Sequence, residues 1–75
     1  MDRNQPAFGL LLRRYRLSIG LTQQALAQRA GLSLRGLSDL ERGIRRWPYA
    51  GTVDRLVDAL ELGPTDRAIL QAARR

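Results

Sequence analysis

Four glycine-centred breaks constrain this chain more than any other feature: Gly20-Leu21-Thr22, Gly31-Leu32-Ser33, Gly43 and Gly63-Pro64. Glycine just past a helix enters the left-handed backbone region without a steric penalty. A Thr or Ser two residues later is a good acceptor for the free N–H groups of the next helix. Between the breaks, apolar residues recur at helical spacing, and no stretch alternates as a strand would. The chain is therefore expected to be all-α, a compact bundle of five short helices joined by tight connections. At 75 residues it is read as one domain, 1–75, with only a thin core, so its helices must be well patterned.

The first helix is predicted from about Ala7 to Ser18. It has Phe8, Leu11, Leu12, Tyr15 and Ile19 on one face, and Arg13, Arg14 and Arg16 lie away from the centre of that face. The second is capped by Thr22, runs to Ala30 and turns Leu26 and Ala30 inward. The third is capped by Ser33 and closes near Arg42, with Leu37 and Leu40 as its buried side. Residues 44–51 read as a basic, aromatic loop. Thr52 is expected to cap a fourth helix, in which Val53, Leu56, Val57 and Leu60 form an i, i+3, i+4, i+7 stripe. Beyond the break at Gly63-Pro64, a fifth helix from about Thr65 to Ala73 carries Ala68, Ile69, Ala72 and Ala73.

Charge narrows the function. The formal net charge is +6, and residues 1–48 hold nine arginines against three acids, whereas residues 49–75 hold four against four. The whole excess therefore sits in the first two-thirds of the chain, which points to a polyanion facing that part. Every basic residue is Arg, which suits bidentate contacts to phosphate and guanine. GC-rich coding accounts for the absence of Lys but not for the asymmetry. With no Cys and no His, the usual zinc arrangements have no ligands, and general acid–base chemistry would fall on seven carboxylates, none set in an apolar pattern. No glycine-rich phosphate loop occurs. No enzyme activity and no cofactor are expected. No apolar run approaches the roughly 20 residues that span a bilayer, and the start lacks the apolar region of a secretory signal. The expected location is the cytoplasm, in association with the nucleoid, with no membrane partner.

Residues 22–43 carry the most information. Two capped helices are joined by a turn around Gly31, and the small residues Ala25, Ala27 and Ala30 let the first of them approach a neighbour closely. This is the geometry of a helix-turn-helix, in which one helix braces across the DNA backbone and the next enters the major groove N-terminus first. Periodicity alone leaves plain packing open for such a pair. Specific residues add to it. Gly20-Leu21-Thr22-Gln23, Leu26-Ala27, Gly31-Leu32-Ser33 and Leu40-Glu41-Arg42-Gly43, with Arg16 and Pro48, resemble the hallmark positions of phage-repressor helix-turn-helix domains, the Cro and xenobiotic-response-element-like family. The resemblance covers roughly Phe8 to Gly63 and implies a lambda-repressor-like fold and binding of double-stranded DNA. The tail from Leu62 to Leu70 is similar to a subset found at the N-termini of large multidomain bacterial regulators, which implies further domains of a longer regulator.

The resemblance implies roles residue by residue. Gln23 goes on a phosphate, where an amide beside exposed helix N–H groups makes a clamp. Ser33, Leu34, Arg35, Ser38 and Asp39 take the outward positions of the recognition helix. Arg35 can donate twice to guanine, and Leu34 can meet a thymine methyl group. Asp39 has two available roles, accepting from cytosine N4 or holding Arg35 across one helical turn. Arg42, Arg45 and Arg46, interleaved with Trp47 and Tyr49, are expected along one phosphate strand. Arg16 and Glu41 are implied to form a buried ion pair between the first and third helices. The sequence departs from the family here, since the outward face lacks amides and lysines, and Leu34 and Gly36 are unusual in an exposed recognition helix. Close approach to DNA or to Leu12 would account for that glycine.

One rival function remains at this level. Ile69 and Leu70 would give the fifth helix an apolar surface for a protein-interaction or dimerisation module on the same fold. A homodimer on two half-sites and a monomer are both open.

Overall fold

The computed structural model describes residues 7–44 and 48–74, and among these it contains five helices and no strand. They are α1 (Phe8–Ser18), α2 (Gln23–Ala30), α3 (Leu34–Glu41), α4 (Ala50–Leu60) and α5 (Pro64–Ala73). None is long and apolar enough to cross a membrane.

α1 to α4 all stop by the same backbone device. One residue turns left-handed: Gly20, Gly31, Gly43 and Glu61, at φ of 73, 70, 78 and 55°. Its N–H returns to the carbonyl three residues back. The next residue, always apolar, donates five residues back: Leu21 to Arg16, Leu32 to Ala27, Ile44 to Asp39 and Leu62 to Val57, at 3.1, 2.9, 3.0 and 3.2 Å. These bonds satisfy carbonyls that a helix end leaves free. Two following helices are capped by side chains, with Thr22 Oγ1 accepting from Ala25 N–H and Ser33 Oγ from Gly36 N–H, each at 3.0 Å.

α2 packs on α3 and α4, α1 on α3 and α5, and α4 on α5. Leu12, Leu26, Leu37, Val53, Leu56, Val57, Leu60 and Leu70 are fully buried where these helices meet. Each such side chain contributes about 1.5–3 kcal/mol over its exposed state. Ala27 and Ala30 are buried on α2, and their small size brings its backbone close to its neighbours. α1 crosses α3 at Gly9, which is buried under the last turn of α3. A Cβ there would lie 2.7 Å from the Glu41 carbonyl oxygen and closer still to that of Leu40.

Several expectations need correction. Ile19 is not on the buried face of α1. The helix ends at Ser18, so Ile19 leaves the helical periodicity and is 47% exposed, while Leu21 packs on the core instead. Thr52 does not cap α4: the helix starts at Ala50, because Val53 N–H already bonds the Tyr49 carbonyl at 3.1 Å. α5 starts one residue earlier than expected, since proline has no N–H to leave unsatisfied at the first helical position. Its buried side is Leu70 with Ala73 half-buried, and Ala68, Ile69 and Ala72 face solvent. Three polar contacts hold this rotation: Tyr15 to Asp66 at 3.3 Å, Arg67 to Asp58 at 3.3 Å and Gln71 to Asp54 at 3.4 Å. Partial burial, the negative charge of Asp66 and the hydrogen bond to it push the Tyr15 hydroxyl above its usual value of 10.0. Leu70 is thus unavailable to any surface shared with Ile69.

Candidate nucleic-acid interface

Glu41, on the last turn of α3, organises the region where α1, α2 and α3 meet. Its carboxylate accepts from Arg16 Nε at 2.6 Å and from Arg16 Nη2 at 3.0 Å, a two-pronged ion pair. The two side chains are 10% and 3% exposed. Arg16 Nη1 reaches the Leu21 carbonyl at 2.8 Å, just beyond the end of α1. Gln23 Nε2 donates to Glu41 Oε1 at 3.0 Å. A carboxylate demands an N–H, so this contact sets the orientation of the Gln23 amide. One remaining N–H and the carbonyl oxygen are left for other partners. No buried side-chain nitrogen or oxygen among the described residues lacks a partner, so the charge pair is fully satisfied where it is desolvated.

Gln23 also lines an open groove of about 670 Å³ along the exposed side of α3. Leu34, Arg35, Ser38 and Asp39 come from the helix, and Arg42 and Ile44 from its C-terminal turn. The groove therefore gathers six of the sequence-derived site residues with one further residue, Ile44. Arg35 and Arg42 are exposed, whereas Ser38 and Asp39 are half-buried. Asp39 makes no ion pair with Arg35; the described pairs are Arg16–Glu41 and Arg67–Asp58. Ser33 stands outside this groove with its Oγ occupied as the α3 cap. Arg45 and Arg46, and Trp47 beside them, lie outside the described residues.

Sequence reasoning missed three features of the site. Arg13 joins Gln23, Glu41 and Arg42 around a smaller recess, three residues before Arg16 and so on the neighbouring side of α1. That spacing, with Arg16 held to α3, was the available signal for it. Ile44 is 61% exposed on the groove rim, whereas an apolar residue after a helix-stopping glycine ordinarily packs inward. For Gly36, the atom within 4 Å of an added Cβ is Ser33 Oγ at 3.0 Å, and Leu12 plays no part.

Among the described residues no cluster of acids is placed to hold a metal ion. Chemically, the groove offers guanidinium donors, a carboxylate, a hydroxyl and two exposed aliphatic side chains, Leu34 on the helix and Ile44 just beyond it. A family model described as a helix-turn-helix domain matches residues 7–70. No curated protein and no solved structure matches the chain.

Proposed function

The chain belongs to the helix-turn-helix domain family, and from that premise we propose that it binds double-stranded DNA sequence-specifically as a bacterial transcriptional regulator of the Cro and xenobiotic-response-element-like kind. The supporting observation is the groove on α3, where Leu34, Arg35, Ser38 and Asp39 are open to a ligand beside Gln23 and Arg42. In this reading α3 enters the major groove. Arg35 donates to guanine, Leu34 meets a thymine methyl, and Asp39, unpaired with Arg35, accepts from cytosine N4. Ser33 adds a hydroxyl contact at the start of the helix. Gln23, Arg42, Arg45 and Arg46 take phosphates, and the arginines make affinity fall steeply with salt. The Arg16–Glu41 pair does not touch DNA in this reading; it keeps Gln23 and α3 in register. The protein acts in the cytoplasm on the nucleoid, as one domain over 1–75 or as the DNA-binding part of a longer regulator.

Selection of binding sites from random duplex DNA, with competitor DNA at about physiological salt, tests this directly. An enriched motif that is lost with Arg35→Glu supports the reading. Half-sites about 10 base pairs apart would identify a dimer, and a single short half-site a monomer. No enrichment, with salt-dependent retention of any duplex, would refute base recognition by α3.

A further inference from the structure

Arg74 closes α5, yet its side chain reaches the connection that follows the recognition helix. Nη1 donates to the Pro48 carbonyl at 3.3 Å. Pro48 is buried although it lies between two helices, and it shares a recess of about 170 Å³ with Ser33, Gly36 and Leu40. Pro48 is thus the far wall of a gap whose near wall is the first turns of α3, and Gly36 contributes no side chain to fill it. Tyr49, the N-cap of α4, takes Val53 N–H on its carbonyl, but its side chain makes no capping bond and is 76% exposed. α5 braces this end of α4 from outside. Arg74 holds Pro48, and one turn earlier Gln71 Nε2 reaches Asp54 on α4 at 3.4 Å.

We propose that Arg74 is a positioning residue for DNA binding: by holding Pro48 it sets the spacing between the start of α4 and the N-terminal turn of α3 that carries Ser33, Leu34 and Arg35. This rests on the reading of α3 as the DNA-facing helix. It adds that the end of α5, remote in sequence from that face, controls how well the face is presented. The recess behind Gly36 gives the control its point of action, because α3 presents no side chain there at Gly36, although Leu40 beside it is buried.

The test uses the whole chain and a labelled duplex from the selected pool. Kd and its salt dependence are measured for the wild type, Arg74→Ala and Arg74→Lys, well below the melting temperature of each. Arg74→Ala is expected to weaken binding about fivefold, the scale of one ordinary hydrogen bond, since the contact is long at 3.3 Å, with an unchanged salt slope. Arg74→Lys, which keeps charge and donor, stays within about twofold. In the free protein, the Ser33 and Gly36 amide resonances move in Arg74→Ala and return in Arg74→Lys. A salt slope smaller by about 0.9 in Arg74→Ala would mean that Arg74 touches a phosphate itself, which overturns the proposal. A lowered melting temperature with unchanged Kd would reduce the contact to a purely structural one and equally overturn it. Should the wild type select no duplex at all, the DNA reading fails first, before any Arg74 variant is made.

Discussion

Gly9→Ala separates what helix propensity predicts from what tertiary packing imposes. Inside a helix alanine is favoured over glycine by up to about 1 kcal/mol, and Gly9 lies in the first turn of α1, so local reasoning predicts an equally or more stable protein. The crossing of α1 on α3 predicts the opposite. The added Cβ would sit 2.7 Å from the Glu41 carbonyl oxygen and 2.9 Å from the carbonyl carbon, and nearer still to the Leu40 oxygen. All are backbone atoms, so no rotamer change relieves the contact. α1 and α3 must separate by a sizeable fraction of an ångström, which weakens dispersion along the interface. The same movement stretches the bond from Arg16 Nε to Glu41, now 2.6 Å. Overpacking of this kind costs about 1–3 kcal/mol when side chains can adapt, and backbone contact belongs at or above the upper end. After the propensity gain, a net loss of about 2 kcal/mol remains, which lowers the melting temperature by roughly 8–16 °C in a domain of this size. Thermal and urea unfolding followed by circular dichroism measure it. Gly51→Ala is the control, because Gly51 lies in the first turn of α4 with nothing within 4 Å of its added Cβ. That variant should match or exceed the wild type. An equal or higher melting temperature for Gly9→Ala would refute the close crossing and the register of α1 on α3.

Two further substitutions probe other parts of the same design. Glu41→Ala removes the acceptor of Arg16 and Gln23 and leaves a guanidinium with a 10% exposed side chain uncompensated. A loss of about 3 kcal/mol is expected from a total near 4–11 kcal/mol, read as a fall in the urea midpoint; an unchanged midpoint would remove the pair from the stability account. Glu61→Gly acts in the other direction, because Glu61 holds a left-handed φ of 55° where α1, α2 and α3 use glycine at the same point. It should gain about 1 kcal/mol, visible as a higher melting temperature, and a loss would mean that the Glu61 side chain does more than occupy the turn.

The sequence by itself determined the helical class, five helices, and the turn between α2 and α3. Those properties are local. Gly20, Gly31 and Gly43 permit left-handed stops, Thr22 and Ser33 supply caps, and leucines at helical spacing commit one side of each helix to burial. The groove residues from Leu34 to Arg42 were legible through the resemblance to phage-repressor domains, while periodicity marked only Leu37 and Leu40 as the opposite, buried side of α3. The remaining details are settled by neighbours that the local sequence does not mention. α5 offered two apolar stripes, and contacts with α1 and α4 chose the one containing Leu70, leaving Ala68, Ile69 and Ala72 in solvent. Glu61 stops α4 at a left-handed φ two residues before Gly63, where the local sequence offered its glycine. Nothing in the local sequence distinguishes Gly9, and only the passage of α3 across it explains why no side chain fits. Arg13 joined the site because Arg16, one turn on, is held against Glu41. Local sequence sets which conformations each segment can adopt cheaply, whereas the choice among them is made by burial and steric contact between segments far apart in the chain.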